Sequence, residues 1–208
     1  MDHYNSKRVA ENYHKAFMKA ADDPEMKRKP LERYTKFTSR VKRGGHILDA
    51  GCGTGRFVSY FIKNGYKVTG IDSSISMLEI ASKEHPDVEF RVMNLCQLGF
   101  ASNLFDGIWN VATLLHLDES DVLKAFQESN RVLKKDGCLY IATRTRDQTT
   151  TLIEDSTEGG KMKVNYYSLD KLLEMLVNSG FEVLESSVEP DDYSRPFDYV
   201  YIYAKPSN

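Results

Sequence analysis

Apolar and polar positions alternate in two rhythms from residue 46 to the end of this 208-residue chain. Short apolar runs bounded by turn residues predict strands at 46–50, 67–71, 88–93, 105–112, 138–143, 181–188 and 197–204. Between several of them the period lengthens to that of a helix. Residues 57–64 are helix-compatible. In 74–84, Ile75, Leu78 and Ala81 share a face. In 119–134, Val122, Phe126 and Leu133 form a stripe that Asp118 is placed to cap. In 168–179, Leu169, Leu172, Leu173 and Leu176 recur at helical spacing, with Gly180 as the C-cap. Alternating strand and helix imply a parallel sheet with helices on both faces, an α/β doubly wound fold. The last two strands have no helix between them, so they pair antiparallel at an edge.

Two segments fall outside the alternation. Residues 1–45 read as a helical cap preceding the first core strand, with 46–208 as the single main domain. Residues 144–166 read as a long polar, structureless connection carrying Gly159-Gly160, of a length that often serves as a lid. Both are expected near the carboxyl ends of the strands, where open α/β sheets bind ligands.

The sharpest local signal is Ile47-Leu48-Asp49-Ala50-Gly51-Cys52-Gly53-Thr54-Gly55-Arg56. A buried strand breaks into three alternate glycines and then a helix, so a ligand can approach bare backbone. A nicotinamide fingerprint would read G-x-G-x-x-G, but here the third glycine comes one residue early and Arg56 stands in its place. Asp49, two residues before the first glycine, suits a ligand with a cationic end and would repel a pyrophosphate. The pattern D-x-G-x-G-x-G resembles motif I of the class I S-adenosylmethionine-dependent methyltransferases. Asp72, at the end of the next strand and 21 residues after Gly51, can accept two ribose hydroxyls.

That resemblance covers 46–204 and implies a seven-stranded, mostly parallel sheet whose last strand runs antiparallel. It implies S-adenosyl-L-methionine as cofactor and S-adenosyl-L-homocysteine as product, bound by Asp49, Gly51, Cys52, Gly53, Gly55, Asp72 and Ser73. Asn94 stands where the family usually has an aspartate facing the adenine amine, and its amide oxygen still accepts. Leu95 would touch the adenine ring, and Met77 either covers its other face or packs in the core. Tyr4-Asn5-x4-Ala10-x2-Tyr13 resembles the N-terminal segment of small-molecule members, with Tyr13 toward the cofactor's carboxylate end. Asn110, ending the fourth core strand, lies beside the methionine portion. The four residues Asn110-Val111-Ala112-Thr113 lack the N/D-P-P-Y/F pattern of base-amine methylating branches. His116 is placed for a general base, with a structural histidine as the other reading. Arg144 and Arg146 suit an anionic acceptor or solvent. Tyr167 is read as an acceptor-pocket or core residue.

Composition narrows the rest. Net charge is −2 with 28% charged and 41% apolar residues, ordinary for a globular protein and without a global field for nucleic acid or membrane. No apolar run approaches the ~20 residues of a membrane helix, and the first residues lack a secretion signal, so a cytoplasmic location is expected. Cys52, Cys96 and Cys138 are scattered, and neither disulfides nor a metal site is expected. From Lys27 to Arg43 there are eight basic residues and one acid, Glu32. Leu31, Tyr34, Phe37 and Val41 give this stretch an apolar side, so a docked amphipathic helix with a solvated charged face is favoured over an RNA-tracking surface. The expected function is methyl transfer to a small-molecule acceptor. RNA or protein methylation, or a non-catalytic cofactor-binding regulator, are the alternatives.

Overall fold

The computed structural model describes residues 5–21, 24–156, 160–191 and 197–207. Tyr4 and Gly159, both drawn on above, lie outside them. The first five strands are β1 (His46–Ala50), β2 (Lys67–Asp72), β3 (Glu89–Val92), β4 (Phe105–Val111) and β5 (Leu133–Thr145). A pair follows, β6 (Thr150–Asp155) and β7 (Lys161–Tyr166), then β8 (Phe181–Pro190) and β9 (Asp198–Pro206). The helices are α1 (Lys7–Ala21), α2 (Pro24–Thr38), α3 (Val58–Lys63), α4 (Ile75–Glu84), α5 (Glu119–Val132) and α6 (Leu169–Asn178). Seven strands form one sheet in the order β3-β2-β1-β4-β5-β9-β8. β1 to β5 are mutually parallel, and β9 runs antiparallel to both β5 and β8.

The two-residue period divides each central strand between two cores. Leu48, Ile108, Leu139, Ile141, Val200 and Ile202 pack on the side of α5 and α6. Ile47, Trp109, Tyr140, Tyr201 and Tyr203 pack on the other side, with Phe61 of α3. Into that second core the N-terminal segment inserts Tyr34, Phe37 and Val41. Trp109 stacks between Tyr34 at 4.8 Å and Tyr140 at 4.0 Å. Gly107 is what lets α2 lie this close, because a Cβ there would meet Phe37 at 2.7 Å and Val41 at 2.8 Å.

Three sequence expectations need correction. The connection 144–166 is not structureless: β6 and β7 form an antiparallel hairpin. Its alternation is disguised because inward positions include the polar Thr150 and Glu154. Glu154 accepts from Arg144 at 3.0 Å and from the Tyr166 hydroxyl at 2.5 Å. The fifth core strand starts at Leu133 rather than at 138, since Leu133 pairs with Phe105 across a bulge. Helix α5 stops accordingly at Val132. Asp118 holds the N-cap position of α5, yet its side chain makes no capping bond and pairs instead with Lys163 of the hairpin at 2.5 Å.

The basic stretch is anchored through its charges. Arg33 reaches Glu189 at 3.0 Å and lies over the Tyr201 ring, while Lys36 and Arg40 both pair with Glu185 of β8. Such half-exposed pairs are individually weak. Glu185→Gln is expected to lower stability by about 0.2–1 kcal/mol, with the loss shrinking at high salt; a salt-independent loss in urea melts would show that packing, not charge, holds α2. No helix among the described residues is long and apolar enough to cross a membrane.

Candidate cofactor site

The site is built where β1, β2 and β4 end side by side. Pairing of Asp49 with Gly70 and with Trp109 puts the glycine turn between its neighbours' carboxyl ends. Gly51, Gly53 and Gly55 all have positive φ, +82°, +53° and +78°, a region in which side chains are strained. At Gly51 the space is also filled: a Cβ would lie 2.2 Å from the Thr113 hydroxyl oxygen. The turn hangs from β2 through the Gly51 and Cys52 N–H groups, which both donate to the Ile71 carbonyl at 2.8 and 2.9 Å.

Asp72 is the second anchor. One carboxylate oxygen accepts the Gly53 N–H and the other the Ser74 N–H, each at 2.9 Å. Burial raises its pKa, and the Ser74, Gly53 and Ser73 N–H groups oppose the rise. Ser74 takes the capping role on α4, accepting from the Met77 N–H at 3.2 Å. Ser73 contributes backbone here. Asp72→Ala removes the Gly53 anchor and, with it, the acceptor expected for the ribose. Calorimetry should show S-adenosylmethionine binding weakened by ~1.5–3 kcal/mol; unchanged affinity would remove the ribose assignment.

Two buried acceptors at this spot have no partner among the described residues: Oδ2 of Asp49 and Oδ1 of Asn110. Asn110 is itself held, since its amide N–H donates to the Ala50 carbonyl at 3.1 Å. Burial pushes the Asp49 carboxyl up to about 7, with Arg56 pulling it down and Asp72 pushing it further up. Unbonded buried oxygens carry a desolvation penalty that a ligand with hydrogen-bond donors or positive charge would relieve. These acceptors therefore fit S-adenosylmethionine, which brings an ammonium and a sulfonium.

The remaining sequence candidates fall around this centre. Cys52 is buried in the turn, and its thiol is pushed well above its ordinary value by burial and by the Asp49 and Asp72 charges. Met77 and Leu95 are buried. Asn94 is exposed, and its amide oxygen accepts the Cys96 N–H at 2.9 Å. It therefore closes a local turn first, and only a second lone pair is left for an adenine amine. Tyr13 of α1 lies over the turn, 3.8 Å from where a Gly53 Cβ would be, and Arg56 donates to its hydroxyl at 3.4 Å. His14, one residue on, reaches the Thr54 hydroxyl at 3.3 Å.

His116 ends a 3-10 turn, Leu114–His116, directly after β4, and is half-buried. Ala112, which opens this turn region, is held at φ +56°, an uncommon conformation for a residue with a Cβ. The hairpin packs on the turn through Val164, Tyr166 and Leu115. The Leu117 carbonyl fastens it by accepting from Asn165 at 2.8 Å and Tyr167 at 2.6 Å. Tyr167 is thus a core residue, and Ser168 caps α6 through the Lys171 N–H. Arg144 is paired with Glu154 and lies over Phe197 rather than in solvent, and Arg146 lies over the Tyr166 ring. Sequence reasoning did not find Thr113, Thr54 or His14, and left Arg56 unassigned. Their partners are 40 to 63 residues away, so no local spacing signals them. Among the described residues no group of three or more His, Cys, Asp or Glu side chains could hold a metal.

Residues 48–141 match the family described as "Methyltransferase domain". An O-methyltransferase of Pyrenophora dematioidea is 29% identical over 198 residues, covering 84% of this chain and 70% of the relative. Two other curated relatives, at 31% and 32% identity, are spanned over only 59% and 56% of their length. Among solved structures, an S-adenosylmethionine-dependent methyltransferase of Methanosarcina mazei superposes with a TM-score of 0.74 at 20% identity, covering 82% of this chain and 96% of the other. The 1,6-didemethyltoxoflavin-N1-methyltransferase of Burkholderia thailandensis, solved with 1,6-didemethyltoxoflavin and S-adenosylhomocysteine, superposes at 0.65 with 21% identity over 80% of this chain and 72% of that one. Residues 48–141, which hold the glycine turn and its Asp72 anchor, thus match a methyltransferase domain, and the seven-stranded sheet has the fold of solved S-adenosylmethionine-dependent methyltransferases.

Proposed function

We propose that this protein transfers a methyl group from S-adenosylmethionine to a small-molecule acceptor. The observation that carries the reading is the pair of buried, unbonded oxygens of Asp49 and Asn110 beside a glycine turn that Asp72 holds. When bound, the cofactor supplies a methyl already activated on a sulfonium sulfur. The chain then has to bind, orient and exclude water, and orientation of this kind is worth ~7–11 kcal/mol. Asp49 provides the counter-charge, Asp72 takes the ribose hydroxyls, and Met77, Asn94 and Leu95 border the adenine. Tyr13 faces the carboxylate end, and Asn110 the methionine portion. His116 takes the proton from an acceptor oxygen or nitrogen that arrives protonated.

The small-molecule acceptor is supported by the 1,6-didemethyltoxoflavin named for the Burkholderia thailandensis protein. It is supported also by the use of Arg33, Lys36 and Arg40 to dock α2, where an RNA-tracking surface would need them outward. Labelled S-adenosylmethionine incubated with protein and cell extract tests the reading. Label in the low-mass fraction is expected. Label in nuclease- or protease-sensitive polymer would overturn the acceptor class, and tight cofactor binding with no transfer to any fraction would leave a regulator rather than an enzyme.

A further inference from the structure

The peptide after the third glycine is gripped from outside its own loop. A Cβ on Gly55 would come within 2.9 Å of the His85 ring and 3.3 Å of the Ala81 Cβ, so the end of α4 lies directly against the turn. His85, the first residue past α4, brings its ring Nε2 to 3.1 Å from the Gly55 carbonyl oxygen. A carbonyl only accepts, so Nε2 must carry the proton in this contact. The same oxygen takes the Val58 N–H at 3.1 Å, at the start of α3. The histidine's own backbone is tied on both sides, its N–H donating to Ala81 and its carbonyl accepting from Val88.

Asp72 and His85 thus flank α4 and hold opposite polarities of one loop, the Gly53 N–H and the Gly55 carbonyl. The complementarity has a physical purpose. A turn with glycines at three alternate positions has a wide choice of backbone conformations, and a ligand that binds such a turn must first select one. Two bonds from fixed neighbours remove that freedom in advance.

We infer that His85 is a positioning residue for the cofactor turn: its Nε2–H fixes the Gly55–Arg56 peptide in the conformation that receives S-adenosylmethionine. The inference rests on the cofactor reading above. His85 acts through Gly55, and its ring bond goes to the turn 30 residues away rather than to a carbonyl of α4.

His85→Phe keeps a ring against Gly55 but has no donor, and His85→Gln restores an N–H at a comparable reach. Calorimetry on the full chain with S-adenosylmethionine and S-adenosylhomocysteine should give binding about three- to tenfold weaker for His85→Phe, the range of one neutral hydrogen bond. His85→Gln should return to within twofold of wild type. The imidazole nitrogen spectrum of the cofactor-free protein should show the proton on Nε2. A purely structural contact would lower the melting temperature of His85→Phe while leaving the affinity of the folded fraction intact. Wild-type affinity in His85→Phe, equal weakening in both variants, or a proton found on Nδ1 alone would each overturn the inference. If His85→Phe does not fold, His85→Gln and the nitrogen spectrum still decide. Failure of the wild-type chain to bind either molecule would instead sink the cofactor reading, and this inference with it.

Discussion

Asp49→Asn is expected to make the cofactor-free protein more stable above pH 7 and its cofactor binding weaker and nearly independent of pH. The carboxyl is fully buried and pushed up to about 7 from an ordinary value near 3.8. Between those values the folded chain keeps a proton that the unfolded chain has lost. Wild-type stability therefore falls as pH rises through that window, by an amount on the order of 4 kcal/mol, and the loss is complete above about 7. Arg56 already offsets part of the charge, while Asp72 and the Cys52 thiol face it without helping. A cationic ligand reverses the balance by favouring the carboxylate. S-adenosylmethionine affinity should thus increase with pH through about 7, with one proton released per molecule bound below it. Calorimetry in buffers of different ionisation enthalpy counts that proton. Wild-type binding with no proton release at pH 6 would remove Asp49 as the counter-charge.

For His116→Ala, once an acceptor is in hand, methyl transfer should slow by ~10²–10⁴-fold with cofactor affinity unchanged. The position favours this role because the histidine closes the 3-10 turn after β4, which is braced by the hairpin and preceded by the strained Ala112. Wild-type turnover in His116→Ala would reduce the residue to the end of a 3-10 turn. Loss of cofactor affinity together with rate would point to the same conclusion.

The hairpin shows where sequence reasoning fell short. Residues 144–166 carry the strand alternation, but Thr150 and Glu154 occupy inward positions, and only the Arg144 and Tyr166 partners make a carboxylate tolerable there. Polarity alone then reads as loop. The basic stretch was legible in part. Its apolar side was legible, yet the fate of Arg33, Lys36 and Arg40 depended on acids of β8 some 145 to 156 residues further on.

What the sequence determined by itself was local: the strand and helix periods, and the glycines with Asp49 just ahead of them. These follow from backbone sterics and from one element's contact with a core, which a window of ten residues contains. Asp72 was legible because a βαβ unit has a nearly constant length, so its position follows from Gly51. Only the tertiary structure decided that Thr113 fills the space at Gly51, that Asn110 and Asp49 each keep a buried oxygen unbonded, and that His85 holds the Gly55 carbonyl. Those pairings arise from sheet order and packing between elements far apart in the chain, where spacing carries no information and complementarity of shape and charge does.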